Sequence, residues 1–304
     1  MSAQGRTGFE YVRSRAVRLI PAYFFFVTLC LAVTLIYSPA PARVIAEHAA
    51  RSYVLFPQGP WLDGVYWTLT VEVVFYISVF ALIALGAFKR LEFVAQVWAV
   101  LCLAALTVTI LEVLNLFSSG LAGQISAFVQ SYMSRPTLIS TGPYFALGVL
   151  MFSLVTHGAS AARLGFIAIA SVAGFISTFL TTNSVQGTLV WAVATSIAVG
   201  LILYEARSTG DAAAKRERAR FARSLGMGAY PLYLVHNIIG AWMFGRILAV
   251  GTPPYLALVL AGAFCVAFSI AFAVLLEPAL QRRLRAGIDT GYGVVMQRCA
   301  KAPR

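Results

Sequence analysis

The sequence predicts an all-α fold: a polytopic transmembrane helix bundle of about eight spans with both termini cytoplasmic. Three observations predict it. Of the 304 residues 60% are hydrophobic and 11% charged, against about 45–50% and about 25% in soluble domains, so the chain lacks the charges to cover a water-facing surface of its size. Apolar runs near the ~20 residues that cross a bilayer recur eight times. Lys and Arg alternate between successive connections, as the positive-inside rule requires. Together these exclude a soluble cytosolic enzyme and assign the net charge of +12 to membrane topology, not to nucleic-acid binding.

The first span, 19–37, follows a basic entry of Arg6, Arg13, Arg15 and Arg18. With further spans behind it and no small-x-small cleavage site, it reads as a retained helix and not a signal peptide. The longest external connection, 38–66, is punctuated by Pro39, Pro41, Pro57, Gly59 and Pro60. A short surface helix is expected there around 43–53, placed to lid an outer cavity. Span two, 67–88, ends on Lys89 and Arg90; spans three and four follow at 94–116 and 137–155, with Arg163 beyond. Spans five and six, 164–182 and 187–204, are divided by Thr181, Thr182, Asn183 and Ser184, since one helix covering both would be too long for a bilayer.

Residues 205–224 form a basic cytoplasmic loop carrying Arg207, Lys215, Arg216, Arg218, Arg220 and Arg223, a solvated stretch suited to anionic lipid. Spans seven and eight, 225–247 and 254–276, lead to a cytoplasmic tail, 277–304, with Arg282, Arg283, Arg285, Arg298, Lys301 and Arg304. The four remaining basic residues are Arg43, Arg51 and Arg135 in the opposite connections and Arg246 within span seven. The chain reads as a single membrane domain over 1–304. Cys30, Cys102, Cys265 and Cys299 lack CxxC spacing, so neither a zinc site nor a disulfide framework is expected.

An ionisable group inside a span costs several kcal/mol unless it is paired or faces water, which makes each one a functional candidate. Glu72 shares a helix stripe with Thr68 and Tyr76, behind Trp67, and a carboxylate flanked by hydroxyls suits the wall of a polar cavity. His236 falls mid-span with Tyr230, Tyr233 and Asn237 on an arc of about 120° on a continuous helix, an arrangement fit for proton transfer or for hydrogen bonding a substrate near neutral pH. Pro231 is expected to bend this helix or free carbonyls within it. Arg15 and Arg18 stand at the cytoplasmic mouth, where guanidinium groups grip phosphate or snorkel to headgroups. Glu277, before Pro278 at the end of span eight, is placed to pair with Arg15 or Arg18. Glu112 and Arg135 are weaker candidates, and His48 and His157 fall in connections where they read as solvated.

Five segments recur in a recognisable order: Val12-Arg13-Ser14-Arg15-Ala16-Val17-Arg18-Leu19-Ile20-Pro21, Trp67 to Tyr76, Tyr144-Phe145-Ala146-Leu147-Gly148, Ala229 to His236, and Glu277-Pro278. In this order, from about Phe9 to Arg283, they resemble the acyltransferase family 3 of integral membrane proteins, which includes O-antigen and other polysaccharide O-acetyltransferases. Relative to the family pattern the sequence begins just before the third helix. The first two helices, with the histidine regarded as catalytic, are expected to be missing by N-terminal truncation.

The resemblance implies a multi-pass protein of the cytoplasmic membrane that moves an acyl group, usually acetyl, from acyl-CoA to a hydroxyl of a carbohydrate or glycolipid acceptor, without a metal and without nucleic acid. It implies that Arg15 and Arg18 face the phosphates of the donor and that Glu72 lies nearer the acceptor. His236 then acts beside Trp67, Thr68, Tyr76, Tyr230, Tyr233 and Asn237 in the substrate cavity. The rival reading is a non-catalytic carrier or scaffold, or an incomplete copy that needs a partner.

Overall fold

The computed structural model describes residues 7–117, 119–207, 217 and 226–301, and among them no strand occurs. The helices are α1 (Gly8–Tyr37), α2 (Ala42–Tyr53), α3 (Trp67–Ala84), α4 (Leu91–Val113), α5 (Gly120–Gln130), α6 (Gly142–His157), α7 (Ala161–Thr182), α8 (Val185–Arg207), α9 (Gly226–Val235), α10 (Ile238–Ala249), α11 (Pro254–Ala271) and α12 (Glu277–Lys301). Among the described residues seven helices are long and apolar enough to cross a membrane, or eight if the bent pair α9 and α10 is one span. Each of the eight expected spans therefore has a helix. The chain is an all-α polytopic bundle. It divides into two compact units: a mid-chain unit built on Leu69–Gly210, which also takes Met1–Gly8, and a terminal unit of Phe9–Thr68 with Asp211–Arg304.

In the mid-chain unit α4 is the hub, packing on α5, α6 and α7. Cys102, Leu106, Val129 and Ala173 form its buried centre, with Trp98, Ile125 and Leu180 against them. Membrane helices gain little from hydrophobic exclusion and rely on close packing over small residues. Gly142 on α6 shows this: a Cβ there would stand 2.6 Å from the Trp98 indole nitrogen. Gly174 on α7 does the same for α8, where a Cβ would meet Trp191 at 2.7 Å. On α8, Val190, Val193, Ile197 and Leu201 are exposed, a face for hydrocarbon. The connection expected at Thr181–Ser184 is a tight turn, with Asn183 in the left-handed region at φ 46° ending α7.

One polar cluster stitches α4, α6 and α7. Arg163 Nε donates to Glu92 Oε1 at 2.7 Å, Ser153 donates to the other oxygen of Glu92, and His157 Nδ1 lies 3.2 Å from Ser153 Oγ. His157, read from the sequence as a solvated loop residue, is exposed as expected but is the last residue of α6, at the edge of this cluster.

The terminal unit is organised around aromatic side chains of α1. Tyr23 and Phe26 are buried, with Tyr66 edge-on to Tyr23 and Phe272 against Phe26. The surface helix expected around 43–53 is α2, which turns Ile45, Ala49 and Ser52 inward; His48 lies on it. Ser52 is a junction: its carbonyl accepts from the Tyr23 hydroxyl at 2.7 Å and its Oγ from the Leu62 N–H at 2.9 Å. Arg51 donates to the Gly59 carbonyl at 2.7 Å, so the proline-rich connection is folded back on α2 and delivers 61–66 to the start of α3.

At the other end of the chain α11 runs through a π turn, Phe272–Leu276, into α12. The segment expected as a tail is thus helical as far as Lys301. Arg13 of α1 pairs with Asp289 of α12, and Phe9 stacks on Tyr292 with ring centroids 3.9 Å apart. The basic loop 205–224 lies almost wholly outside the described residues.

Candidate active site

Span seven is not a bent continuous helix. α9 stops at Val235, α10 starts at Ile238, and their axes differ by 67°. Pro231 lies a turn before the break, inside α9, so the interruption has another origin. His236 and Asn237 are the two residues of the break, both exposed, and the arc predicted for Tyr230, Tyr233, His236 and Asn237 on one helix does not form as such. The same side chains are gathered by different means.

Asp63 explains the gathering. It is 1% exposed and caps the 3-10 turn Gly64–Tyr66 by accepting from the Val65 N–H at 3.0 Å. The same oxygen accepts from Asn237 Nδ2 at 2.7 Å, and its second oxygen faces the Ile238 N–H at 3.4 Å. The first amides of a helix lack intrahelical acceptors and carry partial positive charge; a carboxylate supplied from elsewhere in the chain satisfies them and lets α10 begin anew. Next to it, Tyr233 donates to the Val65 carbonyl at 2.7 Å and its hydroxyl lies 2.6 Å from Thr68 Oγ1. Tyr230 donates to the Leu19 carbonyl at 3.3 Å. Trp67 is half-buried at the head of α3.

His236 Nδ1 lies 2.8 Å from the Tyr233 carbonyl oxygen. A carbonyl only accepts, so Nδ1 carries the hydrogen, and in the neutral ring Nε2 holds the free lone pair. This contact fixes a tautomer and turns Nε2 out as an acceptor at an exposed position.

The other predicted residues are placed as follows. In the mid-chain unit the Tyr76 hydroxyl donates to Glu72 Oε1 one turn along α3, as the stripe reading expects. On α1 Arg15 is half-buried with its guanidinium 5.4 Å above the Tyr11 ring, and Arg18 is exposed. Glu277 accepts from Gln281 Nε2 at 2.8 Å. Among the described residues no cluster of three or more His, Cys, Asp or Glu could hold a metal ion. Sequence reasoning missed Asp63; the available signal was an acid followed by Gly64 within the apolar run Trp61–Tyr66, three residues before a span.

No curated protein and no solved structure matches the chain. A family model described as an acyltransferase domain matches residues 2–276. That match covers nearly the whole length and includes the broken span and the basic entry, so the chain belongs to the acyltransferase 3 family of multi-pass membrane proteins.

Proposed function

We propose that this protein transfers an acyl group, acetyl in the first instance, from acyl-CoA to a hydroxyl of a cell-envelope polysaccharide, glycolipid or secreted glycoside, in the cytoplasmic membrane with both termini cytoplasmic. The observation that carries this reading is His236, whose Nδ1–H is tied to a backbone carbonyl and whose Nε2 is left free. In the reaction the acceptor oxygen attacks the thioester carbonyl while Nε2 takes the hydroxyl proton. The C–O ester bond forms, the C–S bond breaks, and the leaving thiolate of CoA receives the proton. General base catalysis of this kind contributes about 10²–10⁴-fold.

Tyr233, Thr68 and Asn237 hold the surroundings of His236. Glu72, oriented by Tyr76, is assigned to hydrogen bonding of the acceptor, and Arg15 and Arg18 to the donor's phosphates, where guanidinium forks suit phosphate oxygens. Membranes containing the protein should release CoA thiol in an acceptor-dependent reaction. His236→Ala should slow release about 100-fold or more, and Arg15→Ala and Arg18→Ala should raise the donor KM. A broken span also occurs in carriers, and this is the second reading; acceptor binding with no thioester turnover would favour it and sink the first.

A further inference from the structure

We propose that Asp63 is a positioning residue for His236: it holds span seven open at the break, and so sets the orientation and tautomer of the imidazole. This rests on the reading of His236 as the proton acceptor.

The argument begins with what a continuous helix would do to this segment. In an unbroken span seven the Tyr233 carbonyl would accept from the Asn237 N–H, four residues on, and the Ile238 N–H would be satisfied from Leu234. His236 Nδ1 would then have to share the Tyr233 carbonyl with a backbone N–H. At the break, where the chain leaves the helical path, the Tyr233 carbonyl accepts the ring N–H at 2.8 Å. Leaving it costs the backbone its local partners, and a broken helix survives at membrane depth only where something else supplies them.

Asp63 supplies them. It is 174 residues from Asn237 and 175 from Ile238, and it is almost fully buried at 1% exposure. Its hydrogen-bond donors are the Val65 N–H, the Ile238 N–H and the Asn237 amide, all neutral. A buried carboxylate without a cation among its donors is an expensive group to keep. The positive end of α10 and three convergent N–H groups offset part of that cost. The carboxylate's acceptor-only character is what the geometry uses: Oδ1 takes two donors and Oδ2 faces the third. An asparagine has the same shape but turns one of these acceptors into a donor, setting N–H against N–H either at Ile238 or at both Asn237 and Val65.

The test uses the full chain in lipid nanodiscs. Asp63→Asn is expected to lower kcat about 100-fold with donor and acceptor KM unchanged, the scale of an ångström-sized misplacement of a catalytic group. Asn237→Asp is expected to do the same by facing two carboxylates. The reciprocal double variant Asp63→Asn/Asn237→Asp re-forms the amide-to-carboxylate pair but sets the new amide against the Val65 N–H, so kcat is expected to rise several-fold above Asp63→Asn without reaching the parent. In a His236→Ala background Asp63→Asn should add less than about twofold, since there is no imidazole left to misplace.

Carbethoxylation of His236, followed by mass spectrometry, reads the ring without relying on turnover. Its rate should change at least threefold in Asp63→Asn and move part of the way back in the double variant. Parental kcat and parental carbethoxylation rate in Asp63→Asn would overturn the proposal, as would a loss of kcat that is fully additive with His236→Ala. If His236→Ala keeps full turnover, the reading of His236 as base fails instead, and the carbethoxylation rates still decide whether Asp63 sets the ring. Should Asp63→Asn not fold, the double variant and Asn237→Asp carry the same comparison.

Discussion

Glu92 in the mid-chain unit and Asp63 in the terminal unit each join segments far apart in the sequence. Glu92 does it with a guanidinium and a hydroxyl, its side chain 25% exposed and that of Arg163 20% exposed. Asp63 does it with neutral N–H groups at a fully buried position. The first arrangement closes α4, α6 and α7 on one another and leaves every helix intact. The second is found where a helix is interrupted, and two of its three donors belong to the interruption itself. A partly exposed ion pair contributes about 1 kcal/mol or less, and its function is to staple. A buried carboxylate facing only amides is retained where the backbone must leave its regular path, and here that path leads to the exposed imidazole.

Three substitutions sharpen or break this contrast. The largest effect is expected for Asp63→Ala, which leaves three donors without their acceptor at about 1–3 kcal/mol each before relaxation and water entry. A loss of about 3 kcal/mol in unfolding free energy, measured in detergent by thermal or denaturant melting, is the expected outcome, and a value below about 1 would mean that the break is held by something else. Gly142→Ala comes next, because its Cβ would fall 2.6 Å from Trp98 Nε1 and 3.1 Å from Cys102 Sγ. Overpacking at such a contact costs about 1–3 kcal/mol, in the mid-chain unit and without a charged group. Glu92→Gln should cost least, about 1 kcal/mol, and the difference from the parent should shrink in high salt; it should leave acyl transfer kinetics unchanged. A larger kinetic effect from Glu92→Gln than from Asp63→Asn would reverse the assignment of the two carboxylates.

Much of the fold is legible in the sequence because a membrane span is a local property of some 20 residues. The eight apolar runs, the turn at Thr181–Ser184, the surface helix after Pro41 and the Glu72–Tyr76 pair all follow from composition and helical period. What was not legible depends on distant partners. The period that placed Tyr230, Tyr233, His236 and Asn237 on one arc assumes an unbroken helix, and the break is imposed by a residue more than 170 positions away. Asp63 itself looked like one acid in an external connection. His157 looked like a loop residue because Glu92 is brought to its helix neighbour Ser153 only by packing of α6 on α4. The helical continuation of α12 was hidden by its polar composition, since hydropathy marks where a helix leaves the bilayer and not where it ends.

The π turn at Phe272–Leu276 acts on this continuation as a phase shift. A π turn places one more residue in a turn than an α-helix does, so everything beyond it is rotated by about 100° relative to a helix that lacks the extra residue. The rotation decides which side of α12 meets α1. With it, Asp289 faces Arg13 and Tyr292 lies on Phe9; removing one residue from the turn would swing both contacts off α1 while leaving the apolar length of the span nearly unchanged. Two chains of equal hydropathy can therefore differ in whether their C-terminal helix is latched, and the difference is written in a single residue of register.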